Sequence, residues 1–286
     1  MSARVVALRT YPVKGCAGTA LTSAFLGPAG IAHDRTFMVV DEHGVFRSQR
    51  REPLLATIRP EVLDEGRTLV LRAPGVDALR LAVDIDGPRS AVEMFRTPYR
   101  GIDQGDAVAR WLTHVLGVPS RLVRVPPEQD RVTDGETPGR AAYADSGAVL
   151  LAGHASWAEL DRRIAERGGR AVAMERFRPN VVVDGWTEPH VEDRVRGFTV
   201  GDAELAFAKQ AIRCAVTTVD QDTGERVGPE PLRTLADYRR VTGGVVFGVK
   251  FSVVRTGQLA VGDDLRVHRW ADEPADEGTA TAPRLP

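Results

Sequence analysis

The sequence is poor in several residue types, and each shortage excludes a class of protein. Among 286 residues there are only two cysteines and three lysines. Two cysteines allow at most one disulfide and cannot supply the four thiolates of a ferredoxin-type [2Fe–2S] cluster. No stretch approaches the roughly 18 apolar residues of a transmembrane helix, and the first residues lack the apolar core of a signal peptide. We therefore expect a cytoplasmic protein that does not associate with a membrane.

Charge and motif searches exclude further classes. The chain carries 38 Lys and Arg against 39 Asp and Glu, so no nucleic-acid partner is expected. Its six histidines show no His-Glu-x-x-His pattern, which argues against a zinc enzyme. The glycine-rich fingerprints of dinucleotide sites and phosphate loops are absent, as is Gly-x-Ser-x-Gly. Neither a nucleotide cofactor nor pyridoxal phosphate is expected, and no serine-hydrolase site is indicated.

Short extended segments dominate the sequence that remains. Runs rich in Val, Leu, Ile and Phe, separated by turn residues, predict strands within 5–13, 36–46 (two strands around a turn), 69–71, 79–83, 91–95, 122–125, 180–183 and 245–254. Many short strands of this kind are typical of barrels and sandwiches. The fold class is therefore predicted to be mostly β with a few helices, an α+β protein.

Two segments have helical periodicity instead. The first helix ends at Gly117 and carries an apolar stripe of Val108, Trp111, Leu112, Val115 and Leu116. In the second, Ser156 is the expected N-cap, Glu159 follows three residues later, and a Gly pair at 168–169 ends the helix. The second helix has an apolar stripe of Trp157, Leu160 and Ile164, and both stripes are interpreted as facing the core.

Composition also suggests the domain organisation. A boundary near residue 120 would divide the chain into domains at 1–120 and 121–270. The polar, Pro- and Gly-rich stretch 126–139 should be a long exposed loop, either a lid or an insertion without a role. The acidic stretch 271–286, rich in Ala, Pro and Thr, is expected to be a disordered tail.

The most informative residue is Cys214, which directly follows Arg213. A thiolate is a nucleophile and a soft-metal ligand, and a neighbouring guanidinium favours this charged form over the thiol. The alternative is a buried cysteine that acts as a small hydrophobic side chain.

The surroundings of Cys214 resemble a known family. The motif Cys-Ala-Val-Thr-Thr-Val-Asp at 214–220, the Asp-Thr-Gly turn at 222–224 and the segment 230–239 resemble the MOSC family, the C-terminal domain of molybdenum cofactor sulfurases and of mitochondrial amidoxime-reducing components. Further elements follow the family's order at 11–16, 33–35, 142–147, 177–180, 191–193 and 200–205. The resemblance implies an N-terminal β-barrel-like domain at 1–120 followed by a MOSC β-barrel domain at 121–270.

The resemblance also implies the site. The family's pterin cofactor brings two dithiolene sulfurs to molybdenum, which leaves room for one protein thiolate, that of Cys214. Its phosphate calls for charge-assisted hydrogen bonds from basic side chains and for backbone N–H groups. Asp193 is the candidate proton donor. The implied cofactor-binding residues are Lys14, Gly15, Arg35, Ser146, Gly147, Arg178, Asn180 and Arg213.

Two positions depart from the family pattern. Gly15 stands where many relatives have serine, and Ile212 occupies a position that is a serine in many bacterial relatives. Because the other basic residues are all arginine, a lysine that persists indicates a chemical role. Lys14 lies in the 11–16 element, and Lys209 begins the segment 209–224 that contains Cys214.

The implied function is that of a molybdenum cofactor-dependent oxidoreductase. It would reduce N-hydroxylated compounds such as hydroxylamines, amidoximes and N-hydroxylated bases. Because the chain has too few cysteines for a ferredoxin cluster and no flavin or nicotinamide fingerprint, its electrons should come from a separate ferredoxin or flavin reductase. Two alternatives stay open: sulfur transfer through a Cys214 persulfide, and non-catalytic binding or delivery of the cofactor.

Overall fold

A computed structural model describes residues 3–271. All but the first residue of the predicted tail 271–286 therefore lies outside the described residues. The strands of the first 120 residues are β1 (Ala3–Thr10), β2 (Val13–Lys14), β3 (Thr19–Leu21), β4 (Ser23–Gly27), β5 (Gly30–Ile31), β6 (Phe37–Val40), β7 (Arg59–Leu63), β8 (Thr68–Ala73), β9 (Val76–Ala82), β10 (Arg89–Met94) and β11 (Thr97–Asp103). Helix α1 (Asp106–Leu116) follows them.

The rest of the described chain alternates further strands with two helices. These strands are β12 (Arg121–Arg124), β13 (Val132–Thr133), β14 (Gly139–Arg140), β15 (Val149–Gly153), β16 (Val181–Asp184), β17 (Val195–Val200), β18 (Ala203–Arg213), β19 (Arg240–Val241), β20 (Gly244–Arg255), β21 (Gly257–Ala260) and β22 (Asp264–Trp270). The helices are α2 (His154–Glu166) and α3 (Leu232–Tyr238). Short 3₁₀ helices lie at Pro53–Thr57, Asp64–Gly66, Met174–Phe177, Val191–Arg194 and Ala215–Thr218.

A closed barrel forms the larger part of the fold. Strands β15, β16, β1, β22, β17, β18 and β20 pair in that order, and β20 pairs again with β15 to close the ring. The alternation of buried and exposed residues along β1 and β18 directs one face of each strand inward. Phe198 and Phe251 meet edge to face inside the barrel, with ring centroids 4.9 Å apart. The predicted mostly β class is therefore confirmed.

A second core lies beneath the sheet β10-β11-β12-β6-β2 and the meander β7-β8-β9. Helix α1 covers it with Val108, Leu112 and Leu116, and Gly117 ends the helix in the left-handed conformation, as the sequence predicts. The buried Cys16 belongs to this core.

The sheets do not separate at residue 120. Strands β1 and β4, early in the chain, pair with β16, β22 and β21, which come from its second half. Strand β12, which follows residue 120, pairs with β6 and β11. The predicted division at residue 120 stays a prediction, but the two halves of the chain are joined by shared sheets.

Two local predictions are wrong. The second strand expected within 36–46 is reduced to isolated bridges, such as Val40 to Phe46, because Asp41 opens a tight turn. Helix α2 begins after Gly153, so Ser156 lies inside its first turn rather than at its N-cap. The Ser156 hydroxyl instead donates to Glu192 Oε2 at 2.8 Å.

Within residues 3–271, no helix is both long and apolar enough to cross a membrane.

Candidate functional site

A cleft lies where the two cores meet, and it collects nearly all the predicted site residues. Its walls come from the β2 turn, the segments 46–50 and 144–150, the 177–180 segment, the end of β18 and the middle of β20. Of the ten site residues predicted from the sequence, nine line this cleft: Lys14, Gly15, Arg35, Ser146, Gly147, Arg178, Asn180, Arg213 and Cys214.

Asp193, the tenth, does not line the cleft. It follows the buried Glu192 in a 3₁₀ helix, and its carboxylate forms an ion pair with Arg239. Burial raises the pKa of Asp193, although the Arg239 charge opposes this shift. Glu192 accepts hydrogen bonds from the Gly153 amide and the Ser156 hydroxyl. The 191–193 motif therefore contacts the start of α2 through Glu192 and Arg239 through Asp193, and it places the Asp193 carboxylate outside the lining of this cleft.

Cys214 lies at the end of β18 and is only partly exposed. Its carbonyl oxygen accepts hydrogen bonds from both the amide and the hydroxyl of Thr217, each at 3.0 Å, which folds the chain into the 3₁₀ helix Ala215–Thr218. The buried Arg176 then donates to Thr217 O at 2.6 Å. The two hydrogen bonds from Thr217 thus fix the backbone that carries the Cys214 thiol.

The short segment 174–178 forms hydrogen bonds to the Cys214 loop, to the end of β18 and to the turn at Cys16. Arg176 holds the Cys214 loop, and the Phe177 carbonyl accepts a hydrogen bond from Arg213 Nη2 at 2.6 Å. Arg178 Nη1 donates to Cys16 O, also at 2.6 Å. Arg178 and Arg213 are therefore held in place by backbone carbonyl groups rather than by carboxylates.

Arg35 and Arg178 both pack on the ring of Tyr11, each 4.3 Å from its centroid. Both arginines have positive φ angles, +48° and +59°, a conformation uncommon for residues other than glycine and often found at functional sites. The Tyr11 hydroxyl donates to Pro179 O at 3.1 Å. Tyr11 of the Tyr-Pro-Val-Lys element therefore supports the guanidinium groups of both Arg35 and Arg178.

Asn180 positions residues of the cleft and has no free hydrogen-bonding group. Its amide nitrogen donates to Arg9 O and Asp34 Oδ1, both at 3.1 Å. Its amide oxygen accepts from Leu150 N and Arg35 Nη1 at the same distance. All four bonds that an asparagine side chain can make are formed. The role of Asn180 is therefore to orient Arg35.

On the opposite wall, two lysines approach the segment 143–147. Lys14 donates to Tyr143 O at 2.9 Å and forms an ion pair with Asp145. Lys250 Nζ donates to Ser146 Oγ at 2.6 Å. Gly147 has a φ of +79°, and a Cβ there would lie 2.9 Å from Lys250 Cβ, so only glycine allows this close packing.

The cleft carries an excess of positive charge. Among residues 3–271, its only acidic lining residue is Asp145, against the basic residues Lys14, Arg35, Arg47, Arg50, Arg178, Arg213 and Lys250. Three of these form ion pairs: Lys14 with Asp145, Arg35 with Asp34, and Arg47 with Glu52. Burial lowers the pKa of both Arg178 and Arg213 to about 10. Within residues 3–271, no carboxylate forms an ion pair with either guanidinium, and Arg213 Nε is buried without a hydrogen-bond partner. Such a site is suited to an anion.

The two cysteines have different environments. Cys16 is fully buried in the second core, and burial raises the pKa of its thiol to about 12. Cys214 lines the cleft. Within the described range, no group of three or more His, Cys, Asp or Glu residues could hold a metal ion. A metal in this cleft would therefore take most of its ligands from a bound group rather than from the chain.

Sequence reasoning missed Lys250 and Asp145. Lys209, which begins the segment that contains Cys214, pairs with Asp134 at 2.6 Å and does not line the cleft. Lys250 does line it, although it belongs to no motif identified in the sequence. The scarcity of lysine was the one signal that could have singled it out.

Two family models match the chain. A model described as the MOSC N-terminal beta barrel domain matches residues 2–119, and one described as the MOSC domain matches residues 138–266. The chain is 33% identical to mitochondrial amidoxime reducing component 2 of Rattus norvegicus, over 92% of this chain and 82% of that protein. The chain belongs to the MOSC family. The predicted family assignment is thus confirmed.

Other MOSC proteins give similar matches. Mitochondrial amidoxime-reducing component 1 of Homo sapiens is 32% identical over 91% of this chain and 81% of that protein. Molybdenum cofactor sulfurase of Danio rerio is 34% identical over 84% of this chain, but the match spans only 30% of the sulfurase. The MOSC chain described here thus corresponds to most of a reducing component and to a minor part of a sulfurase.

Proposed function

We propose that this MOSC protein is a molybdenum cofactor-dependent oxidoreductase that reduces N-hydroxylated compounds, among them hydroxylamines and amidoximes. The observation that carries the proposal is the meeting, in one cleft, of the Cys214 thiol with Arg178 and Arg213, two buried arginines that form no ion pair within residues 3–271. Relatives named as amidoxime-reducing components, similar over most of their length, support it. The cytoplasmic location stays a prediction.

The residues of the cleft fit the cofactor's chemistry. Arg178 and Arg213 are desolvated without a carboxylate partner, and an anionic group would restore the favourable environment that burial removes. The buried Arg213 Nε provides an unused donor for it. A partly exposed thiol beside these cations supplies the soft ligand that a molybdenum centre prefers.

The proposed roles follow from these positions. Cys214 holds the metal, and Lys14, Arg35, Arg178 and Arg213 bind the anionic end of the cofactor. Gly15, with a φ of +84°, and Gly147 leave their backbone open to close approach, which offsets the missing serine hydroxyl at position 15. When bound, the cofactor supplies a two-electron redox centre. Ile212, 52% exposed beside Cys214, makes the mouth of the cleft apolar.

The alternatives predict different behaviour. A Cys214 persulfide that transfers sulfur needs an accessible thiol, which this cleft offers, but it does not require the two buried arginines. Pure cofactor storage requires the cations but no substrate turnover. Turnover of a hydroxylamine by the purified protein separates reduction from both alternatives.

The electron donor gives the test of the proposed function. Because the chain has two cysteines and no flavin or nicotinamide fingerprint, we propose that a separate ferredoxin or flavin reductase supplies its electrons. Purified, cofactor-loaded protein should reduce benzamidoxime or a hydroxylamine with reduced viologen and should be inactive with NADPH alone. Adding a ferredoxin with its reductase should restore NADPH-dependent turnover. If viologen supports no turnover by protein that contains molybdenum, the reductase proposal fails.

A further inference from the structure

Reduction of an N–OH group consumes protons, and the cleft contains few groups that can deliver them. The balanced reaction is R–NHOH + 2 H⁺ + 2 e⁻ → R–NH₂ + H₂O. The Asp193 carboxyl lies outside the cleft. Apart from arginines, the titratable residues that line the cleft are Lys14, Asp145, Cys214 and Lys250.

Three of these four residues have partners or roles that prevent them from donating a proton. The Asp145 side chain is more than half exposed, and the neighbouring Lys14 ammonium lowers the Asp145 pKa, so the carboxyl has no proton to give at neutral pH. Lys14 is 9% exposed and is held between Tyr143 O and Asp145. Cys214 is the proposed metal ligand, which is bound as the thiolate.

Lys250 is differently placed. It lies in β20, where its backbone is opposite Leu150 of β15 and Lys209 of β18, so the barrel wall fixes its position. Its side chain is partly exposed in the cleft, and the ammonium donates to Ser146 Oγ, a hydroxyl that can relay a proton. No carboxylate in the described part of the chain forms an ion pair with it.

The surroundings of the Lys250 ammonium group favour release of its proton. The pKa of Lys250 is lowered to about 8, chiefly by burial and in part by the charges of Arg213, Lys209 and Lys14, while Asp145 opposes the shift. An acid whose pKa lies near the working pH is an effective donor, because it is protonated before the reaction and gives up its proton readily.

We propose that Lys250 is the catalytic proton donor of the cleft, protonating the substrate oxygen as the N–O bond breaks. This inference rests on the proposed reductase function. The two electrons arrive through the reduced cofactor, the oxygen leaves as water, and one proton comes from the Lys250 ammonium. The second proton comes from solvent and completes the amine. Lys250, left as a neutral amine, regains its proton from solvent through Ser146.

Three variants of the cofactor-loaded protein test the role. Lys250→Arg keeps the positive charge but removes the group that releases a proton near neutral pH, and Lys250→Met removes both. Lys209→Arg is the matched control on the neighbouring strand. We expect turnover with reduced viologen to fall about 100-fold in both Lys250 variants, the lower range for loss of a general acid, with molybdenum content unchanged in Lys250→Arg. The control should retain wild-type turnover.

The pH dependence and a spectroscopic measurement complete the test. Wild-type turnover should decrease above about pH 8, because the donor must be protonated. The decrease in turnover above about pH 8 should be absent in Lys250→Arg. With only three lysines in the chain, ¹³C-labelled lysine gives an NMR titration with one signal per residue. The signal lost in Lys250→Arg should titrate near pH 8 in the wild type.

Several results would overturn the inference. Lys250→Arg turning over within threefold of wild type would show that the charge alone suffices. A Lys250 NMR signal that titrates above pH 10 would show that this ammonium group is too weak an acid to be the proton donor. If Lys250→Met lost its molybdenum while Lys250→Arg kept normal turnover, Lys250 would be assigned to anion binding instead of proton donation. Absence of turnover in molybdenum-loaded wild type would instead defeat the reductase function, and the inference with it.

Discussion

Replacement of Cys214 with serine should reduce turnover of hydroxylamines by more than about 100-fold while the protein stays folded. Residues that only support a metal ligand cost roughly 10- to 100-fold in affinity or activity when mutated, so the ligand itself should cost more. A serine oxygen is a harder donor than a thiolate and suits molybdenum poorly. Steady-state rates with reduced viologen, together with a thermal melt, measure both effects.

Cys16→Ala is the matched control for this variant. Cys16 is fully buried in the second core, and burial raises its thiol pKa to about 12, so it carries no thiolate at neutral pH. Its substitution should lower the melting temperature modestly and leave the rate per bound molybdenum unchanged. Equal loss of turnover per molybdenum in both cysteine variants would show that Cys214 has been assigned wrongly.

Replacement of Arg178 with methionine should weaken cofactor binding by about 1.5–3 kcal/mol, the usual contribution of a hydrogen bond to a charged group. At 1.4 kcal/mol per factor of ten, this is roughly a 10- to 150-fold loss of affinity. The cofactor-free protein should lose little stability, because a buried guanidinium without a carboxylate partner is itself unfavourable. Pterin occupancy and the melting temperature of the cofactor-free protein measure the two effects separately.

Arg4→Met provides the control for Arg178. Arg4 is 64% exposed and pairs with Asp264 on the surface, so its loss should change neither occupancy nor melting temperature appreciably. Full pterin occupancy in Arg178→Met would mean that this arginine does not bind the cofactor's anionic end.

Nine of the ten predicted site residues could be named from the sequence and lie together in the cleft because they belong to short local motifs. Tyr11-Pro-Val-Lys14 and Phe177-Arg-Pro-Asn180 each carry a cation of the cleft, and the Tyr11 ring of the first motif packs on Arg178 of the second. Helix α1 was found equally well, since its apolar stripe and terminal glycine are local signals.

The contacts that the sequence did not reveal have a common cause, because they join residues far apart in the chain. Ser156 was predicted as an N-cap, but its hydroxyl binds Glu192, which is 36 residues away. Asp193 was predicted as the proton donor, yet it pairs with Arg239, 46 residues away. Lys250 reaches Ser146 across 104 residues through pairing of β15 with β20. No local pattern specifies such partners, because strand pairing and barrel closure bring them together.

Molybdenum analysis of protein purified from a host that makes the cofactor is the sharpest test of metal binding by Cys214. We expect close to one molybdenum per wild-type chain, with X-ray absorption detecting three sulfur ligands, two from the dithiolene and one from Cys214. In Cys214→Ser the metal should be lost, or should retain only the two dithiolene sulfurs. Wild-type protein without molybdenum, or an unchanged three-sulfur environment in Cys214→Ser, would contradict metal binding by Cys214.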